Sequence, residues 1–261
     1  MQRKKLVAVA ALLSALLFFP LTLAANVMNV ADLPFFSSPL ESSSTTVLAD
    51  PPHVLNASLQ AASTFTVNVN ISDVSDLFTW QINLNWNASI LNVSRILPGE
   101  FLARSVNETS SEALGGLVIN STDNAQGYSL FAESILANVT GISGNGTLVS
   151  IEFLVLDYGW THLNLTVTGD FPTTLLDSAG TNMTIATANG YFSNKIPGDI
   201  DGDKDVDPFD FSEFRVAYGS KGPPQVPTPD LNYNLQADLD LDGDVDPFDF
   251  STFRVNYGAT L

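Results

Sequence analysis

Apolar and polar residues alternate along several short segments in the middle of the chain. In "FTVNVNI" and "FTWQINLNW" every second residue is apolar, so Trp80 and Trp86 share one face and Gln81 lies on the other. The segments "LVSIEFLV" and "HLNLTV" alternate in a similar way. A period of two is typical of strands that bury one face. Because Gly, Asn, Asp and Pro separate these segments, we predict an all-β antiparallel sandwich over residues 53–193, with both tryptophans in its core.

The C-terminal part has a helical pattern that occurs twice, in "PFDFSEFRVAYG" (208–219) and "PFDFSTFRVNYG" (247–258). Phe211, Phe214 and Tyr218 fall on one face of such a helix, as do their counterparts in the second copy. Each segment starts with Pro after an Asp that can cap the helix, and each ends in Gly. We therefore predict two short amphipathic helices.

An acidic run precedes each predicted helix, "DIDGDKDVDPFD" (199–210) and "DLDLDGDVDPFD" (238–249). Calcium is bound in 12-residue loops by oxygen atoms from positions 1, 3, 5, 7, 9 and 12, position 7 using its main-chain carbonyl. A solvated acidic tail is the alternative, but the ligand spacing and the helices argue against it. We predict two Ca²⁺ ions. The predicted ligands are Asp199, Asp201, Asp203, Asp205, Asp207 and Asp210 in the first run, and Asp238, Asp240, Asp242, Asp244, Asp246 and Asp249 in the second.

The two runs differ at position 6, where the chain must turn sharply. The second run has Gly243 there and the first has Lys204. A left-handed backbone at a non-glycine residue costs roughly 1–2 kcal/mol, so we expect the first site to be the weaker one. At position 8 we expect Val245 to point inward and to pair with Val206.

The sequences "GDIDGDKDVDPFDF" and "ADLDLDGDVDPFDF" resemble the repeats of the type I dockerin family, over residues 197–258 with repeats 199–219 and 238–258. The resemblance implies a small all-α calcium module that docks onto a cohesin domain of another protein, in either of two orientations related by the internal repeat. Many dockerins carry small or hydroxylic recognition residues where this chain has Pro-Phe, so their partner specificity does not transfer. The expected partner-binding residues are Pro208, Phe209, Pro247, Phe248, Arg215 and Arg254.

The predicted sandwich is similar to the cohesin domain family in "TFTVNVNISDVSDLFTWQINLNWNASILNVSRILPGEFL", "GNGTLVSIEFLVLDYGWTHLNLT" and "TLLDSAGTNMTIATANGYF". The resemblance implies that the all-β sandwich is of the jelly-roll type. Cohesins receive dockerins in cellulosomes and related assemblies. The resemblance implies a non-catalytic adaptor at a secreted or cell-surface scaffold, in a setting of polysaccharide breakdown. A self-compatible pair of modules would instead make a head-to-tail polymer.

The N-terminal sequence predicts export. Residues 1–24 combine a basic start, an apolar run and small residues at a cleavage site, as in a secretory signal peptide, with an uncleaved anchor as the alternative. Residues 25–52 are rich in Ser, Thr and Pro, and we interpret them as a leader. The net charge of −18 disfavours nucleic acid as a partner and favours cations. Cysteine is absent, which excludes disulfides and thiolate catalysis.

Asn-x-Ser/Thr sites are more frequent than chance predicts, which favours an N-glycosylated extracellular protein. The candidate glycosylation sites are Asn56, Asn70, Asn87, Asn92, Asn107, Asn120, Asn138, Asn145, Asn164 and Asn182.

Two other functions compete with the adaptor hypothesis. In the first, the sandwich binds carbohydrate, and Trp160, in a predicted turn, is the candidate for stacking on a sugar. In the second, the chain is a glycosidase, which requires two facing carboxylates. Glu100, Glu133 and Glu152 have no such spacing, and His162 has no matching nucleophile or metal-ligand pattern. We therefore predict no catalytic residues.

Overall fold

The computed structural model describes residues 44–102, 117–135 and 140–261. The predicted signal peptide, most of the leader and the sites Asn107 and Asn138 lie outside the described residues. Among the described residues, no helix is long and apolar enough to cross a membrane. The described strands are β1 (Thr46–Asp50), β2 (His53–Leu55), β3 (Thr64–Asn85), β4 (Leu91–Pro98), β5 (Leu117–Asp123), β6 (Tyr128–Ser134), β7 (Ile142–Val155), β8 (Trp160–Leu165), β9 (Thr174–Asp177), β10 (Ala186–Ala188) and β11 (Gly190–Ser193); the described helices are α1 (Pro208–Ala217) and α2 (Pro247–Asn256).

The long strand β3 belongs to both layers of the sandwich. Its first half pairs with β1 and β7, and β10 and β4 extend that layer at its edges. Its second half pairs with β6, β8 and β9, and β5 extends this layer beyond β6. The change of layer coincides with irregular pairing around Asp73 and Asp76, both of which have positive φ. β-Bulges of this kind bend a strand and increase its twist.

The alternating segments bury the predicted face. Trp80 is fully buried and Trp86 nearly so. The Trp80 ring stacks on Phe131 with centroids 5.6 Å apart, and the Trp86 ring meets Phe153 edge-on at 5.5 Å. The Trp86 indole nitrogen also donates a hydrogen bond to the Leu91 carbonyl at 2.8 Å. The sequence prediction that both tryptophans belong to the core is confirmed.

The polar face of β3 differs from the prediction, because Gln81 is only 4% exposed. Its side-chain amide donates to the Pro172 carbonyl at 2.8 Å, and the Asn83 amide donates to the Phe171 carbonyl at 2.7 Å. The segment that leads into β9 therefore covers the outer side of this layer. Alternation along a strand does not reveal a cover that comes from a distant part of the chain.

The boundary of the predicted leader at residue 52 is wrong in this structure, because β1 lies within the range 25–52. Val47 and Ala49 are buried in the core. β1 pairs with β3 on one side and with β10 on the other. A five-residue strand between Ser/Thr and Pro residues has too few positions to establish a period of two.

The two C-terminal helices begin as predicted. The Asp207 carboxylate caps α1 by accepting from the Phe209 amide at 2.6 Å, and Asp246 caps α2 in the same way. Phe214 and Phe253 are both 2% exposed and stack with centroids 5.5 Å apart. These rings hold the helices together in a second, smaller core.

Each repeat pairs with the end of the other repeat. The Val206 amide donates to Ala259, after α2, at 3.0 Å, and the Val245 amide donates to Ser220, after α1, at 3.0 Å. Both valines are buried in the same cluster. The predicted mutual pairing of Val206 and Val245 is therefore wrong for the backbone. Because of the crossed arrangement, neither repeat has its full set of hydrogen bonds alone.

The junction between the sandwich and the helical module is buried. Asn194 is 2% exposed. Its amide donates to the Leu59 carbonyl at 2.7 Å and its side-chain carbonyl accepts from the Gly159 amide at 2.8 Å. Lys195 and Ile196 are buried as well. The two parts of the chain are therefore packed against each other rather than separated by a free linker.

One testable prediction concerns the bend in β3. The Asp76 carboxylate accepts from the Gly141 amide at 2.6 Å and from the Ser178 hydroxyl at 2.6 Å, thereby joining β3 to the residue before β7 and to the turn after β9. These hydrogen bonds, the one from Ser178 first, hold the pKa of Asp76 below its ordinary value of 3.8. The resulting stability is present above pH 3.8 and is lost as pH falls through the lowered pKa.

Accordingly, we expect Asp76→Asn to lower the melting temperature at neutral pH, and we expect the difference from wild type to shrink in acid. Asn tolerates the left-handed backbone, so the change removes the charge without adding strain. Asp73→Asn, at the neighbouring positive-φ position, is the matched control. Equal melting temperatures for wild type and Asp76→Asn at neutral pH would contradict the prediction.

Candidate metal centre

The predicted ligands converge in both acidic loops, here named loop 1 (199–210) and loop 2 (238–249). In each loop two groups of carboxylates have oxygen atoms within 4.8 Å of one another. Asp242 belongs to neither group of loop 2; its carboxylate accepts from the Asp244 amide at 3.1 Å. The groups are Asp199, Asp201 and Asp203, then Asp205, Asp207 and Asp210 in loop 1, and Asp238, Asp240 and Asp249, then Asp244, Asp246 and Asp249 in loop 2.

The aspartate at position 12 closes each loop and begins each helix. One oxygen of Asp210 accepts from the amides of Ile200 and Asp201 at 2.7 and 3.1 Å. Its other oxygen accepts from the Asp207 amide at 2.8 Å, which completes the capping box of α1. Asp249 makes the same three contacts in loop 2. Loop closure and helix initiation therefore depend on one side chain.

The aspartate at position 1 is buried and is held by a tyrosine in both loops. The Asp238 Oδ2 atom accepts from the Tyr233 hydroxyl at 2.7 Å and from the Gly243 amide at 3.0 Å. The Asp199 Oδ2 atom accepts from the Tyr158 hydroxyl at 2.5 Å and from the Lys204 amide at 3.2 Å. Asp199 and Asp238 are 2% and 1% exposed.

Three loop oxygens are buried without a hydrogen-bond partner among the described residues: Oδ1 of Asp205, Asp238 and Asp244. An unpaired buried acceptor is costly, and a cation would remove that cost. The donor set contains only oxygen, which suits a hard divalent cation such as Ca²⁺. The residues therefore fit the predicted ion. At position 7 the carboxylates of Asp205 and Asp244 are part of the clusters, whereas the sequence analysis assigned the main-chain carbonyl to this position.

The backbone does not distinguish the two loops as expected. Lys204 has φ of +82°, but Leu241 in loop 2 also has a positive φ, +59°. Each loop thus has one strained non-glycine residue, and Gly202 and Gly243 take the other left-handed positions. The expected weakness of the first site therefore cannot rest on strain at Lys204.

A buried ammonium group does distinguish loop 1. The Lys195 Nζ atom lies 4.0 Å from the Asp199 carboxylate and donates to the Ile200 carbonyl at 3.1 Å. Burial lowers the pKa of Lys195, while Asp199 and the other nearby carboxylates oppose that shift. A positive charge at this distance competes electrostatically with a bound cation.

Both predicted phenylalanines of the partner-binding set are strongly exposed. Phe209 and Phe248 are each 71% exposed, and Pro208, Pro247, Arg215 and Arg254 are also exposed. The sequence analysis expected Tyr218 and Tyr257 on the apolar face of each helix, and it did not assign to partner binding four exposed apolar side chains of the same helices. They are Val216, Val255, Tyr218 and Tyr257, with 65%, 80%, 48% and 52% of their surface exposed. The helical periodicity of apolar residues predicts a buried helix face, but it does not predict an exposed apolar stripe such as the one that these side chains form.

Most candidate glycosylation sites in the described residues are accessible. Asn70 and Asn92 are half-buried, and the Asn70 side chain is engaged by Asp50 and Thr147. The exposed sites are Asn56, Asn87, Asn120, Asn145, Asn164 and Asn182.

Trp160 starts strand β8 and is not in a turn. It is 37% exposed, and its ring centroid lies 5.6 Å from that of His162 and 5.9 Å from that of Tyr191. A cleft of about 540 Å³ runs beside it, between the sandwich and loop 1, and Asn87 and Asn164 contribute to its lining. Trp160 is therefore the most exposed of the three tryptophans.

Comparisons with known proteins concern the sandwich. A family model described as "Cohesin domain" matches residues 54–190, just over half of the chain. A search of curated proteins found no match. Among solved structures, a non-cellulosomal cohesin from the archaeon Archaeoglobus fulgidus is 20% identical over 57% of this chain and 90% of that chain, with a TM-score of 0.43.

Two further structural matches come from bacteria. The sixth cohesin of scaffoldin B from Acetivibrio cellulolyticus, solved with a dockerin, is 18% identical over 58% of this chain and 99% of that chain, with a TM-score of 0.44. A type I cohesin–dockerin complex from Clostridium thermocellum is 12% identical over 58% and 99% of the two chains, with a TM-score of 0.44.

The crowded carboxylates generate a testable pH dependence. Burial raises the pKa of Asp249 to about 6, and burial also raises the pKa of Asp238 and of Asp240, with their acidic neighbours adding to both shifts. The stability that protonated Asp249 contributes is fully present below pH 3.8, the ordinary pKa of the carboxyl, and is lost as pH rises through about 6. Without divalent cations, we therefore expect the melting temperature of the helices to fall as pH rises from about 4 to about 6.

Circular dichroism of the full chain at helix wavelengths, in chelator, measures this change. Asp249→Asn removes the titrating group and should flatten part of the dependence. A wild-type helix signal that melts at the same temperature throughout this pH interval would show that the carboxylates do not oppose folding.

Proposed function

The chain belongs to the cohesin domain family, and on that premise we propose that it is a secreted, non-catalytic assembly protein with two docking modules. The sandwich receives a dockerin, as the related cohesins in the two bacterial complexes do. The C-terminal module acts as a dockerin itself, binds two Ca²⁺ ions, and docks onto a cohesin of another protein at a scaffold or cell surface. The chain is then an adaptor between two partners, in a setting of polysaccharide breakdown.

The observation that carries the calcium-dependent part is the convergence of oxygen ligands around buried, unpaired carboxylate oxygens in both loops. A cation at each loop neutralises the mutual repulsion and supplies the missing partner for Asp205, Asp238 and Asp244. Because the aspartate at position 12 also starts the helix, the free energy of metal binding stabilises the helix as well. The small helical core alone supplies little stability.

The exposed helix stripe supports docking in two orientations. Equivalent residues of the two repeats have nearly equal exposure: Phe209 and Phe248 at 71% each, and Phe211 and Phe250 at 40% and 39%. The sandwich thus leaves both copies of the surface free. Exposed aromatic side chains are the usual anchors of a protein interface.

Calcium removal is the first test. We expect the full chain to bind two Ca²⁺ ions in calorimetric titration and its helix signal to weaken in chelator. Asp240→Asn, at an exposed ligand of loop 2, should reduce the stoichiometry to one, and Asp201→Asn should do the same for loop 1. A titration without heat and a helix signal insensitive to chelator would refute the calcium part of the proposal.

Docking is the second test, with the immobilised full chain and a panel of purified cohesins and dockerins in calcium. We expect Phe209→Ala combined with Phe248→Ala to weaken cohesin binding by about 30-fold, since an aromatic anchor contributes about 2 kcal/mol. Each single variant should lose only about twofold, because the other orientation remains available. Dockerin binding by the sandwich should not change.

Leu231→Ala is the matched control, since Leu231 is fully exposed but lies outside the helices. Retention of neither partner would contradict the adaptor function. If the chain instead binds polysaccharide and Trp160→Ala abolishes that binding, the second candidate function, a carbohydrate-binding sandwich, replaces it.

A further inference from the structure

Two tyrosines from different parts of the chain perform the same task in the two loops. Tyr233 precedes Asp238 by five residues and donates its hydroxyl to Asp238 Oδ2. The residue five positions before Asp199 is Asn194, which has no hydroxyl. In loop 1 the hydroxyl comes instead from Tyr158, between β7 and β8 of the sandwich, and it donates to the same atom, Oδ2, of Asp199.

The Tyr158 contact is part of a tightly built junction. The Ile196 amide donates to the Tyr158 hydroxyl at 2.9 Å, so this oxygen both accepts and donates. The Lys204 ammonium lies 5.5 Å from the centre of the Tyr158 ring, within the range of a cation–π interaction. Burial, the hydrogen bond to Asp199 and the nearby carboxylates raise the pKa of Tyr158, so the hydroxyl keeps its proton at neutral pH.

The geometry points to a shared metal site: we propose that the sandwich completes loop 1, with Tyr158 as the positioning residue that orients Asp199 toward the cation. The proposal rests on the calcium binding proposed above. Partners that orient a ligand from behind typically change metal affinity by about 10- to 100-fold when removed. Loop 2 carries its own tyrosine and has no such dependence on the sandwich.

A consequence is energetic coupling between the ion and the junction. If Tyr158 strengthens calcium binding at loop 1, then calcium at loop 1 must strengthen the attachment of the helical module to the sandwich by the same factor. Calcium thereby strengthens the junction that sets the relative placement of the two modules, in addition to folding the helices. Because the Lys195 ammonium beside Asp199 already opposes a cation at loop 1, the calcium affinity of loop 1 is more sensitive than that of loop 2 to the orientation of the aspartate at position 1.

Calcium alone is the probe, and the full chain is titrated by calorimetry. In the Asp240→Asn background, where only loop 1 binds, Tyr158→Phe should lower the affinity about tenfold. In the Asp201→Asn background, where only loop 2 binds, Tyr158→Phe should have no effect and Tyr233→Phe should lower the affinity by a similar factor. Tyr191→Phe is the matched control at the junction, because its hydroxyl pairs with the Gln236 amide at 2.9 Å instead of a loop carboxylate.

A second readout separates orientation from damage to the fold. The near-ultraviolet signal of Trp80 and Trp86 reports melting of the sandwich, and calcium should raise that melting temperature in the wild type and in Tyr191→Phe but much less in Tyr158→Phe. Unchanged affinity of loop 1 in Tyr158→Phe overturns the inference while the calcium proposal stands. A wild-type chain that takes up no calcium overturns both.

Discussion

Repulsion between carboxylates is the constraint on which the C-terminal helical module of this protein depends. Each loop gathers acidic side chains around a small volume, and the pKa of Asp249 is raised to about 6 by its burial there. The same side chain closes the loop and caps the helix. Crossed backbone pairing, such as Val206 with Ala259, extends this dependence from each loop to the other repeat. Whatever neutralises one loop therefore stabilises the whole module.

The sandwich is stabilised by different means. Its core is a continuous apolar cluster that includes Trp80, Trp86 and Phe153, and no charge needs to be neutralised for it to form. It can therefore hold Tyr158 in place whether or not the proposed cation is bound. If the helical module binds calcium as proposed, the sandwich therefore acts as a template for it. The buried junction around Asn194 provides the contact through which this happens.

The local sequence patterns predicted those structural features that depend on residues close together in the sequence. Alternation identified the buried tryptophans, and the Asp-Pro and Gly signals identified the helices, because both patterns repeat within a few residues. Three features rest on contacts between distant residues and were not predicted. The cover over Gln81 comes from 91 residues away, the hydroxyl that holds Asp199 from 41 residues away, and each repeat pairs with the end of the other. The exposed stripe beside Phe209 was found only in part, because solvent imposes no period on it. Calcium itself remains a prediction from the ligand spacing, with a geometry that fits it.

The buried junction has a mechanical consequence. A flexible connection lets two parts of a chain take many relative separations and angles, whereas the buried residues 194–196 leave this chain no such freedom. The connection is rigid, because the sandwich itself sets the direction in which the helices face. Any assembly built with it would inherit a fixed step and turn from one partner to the next.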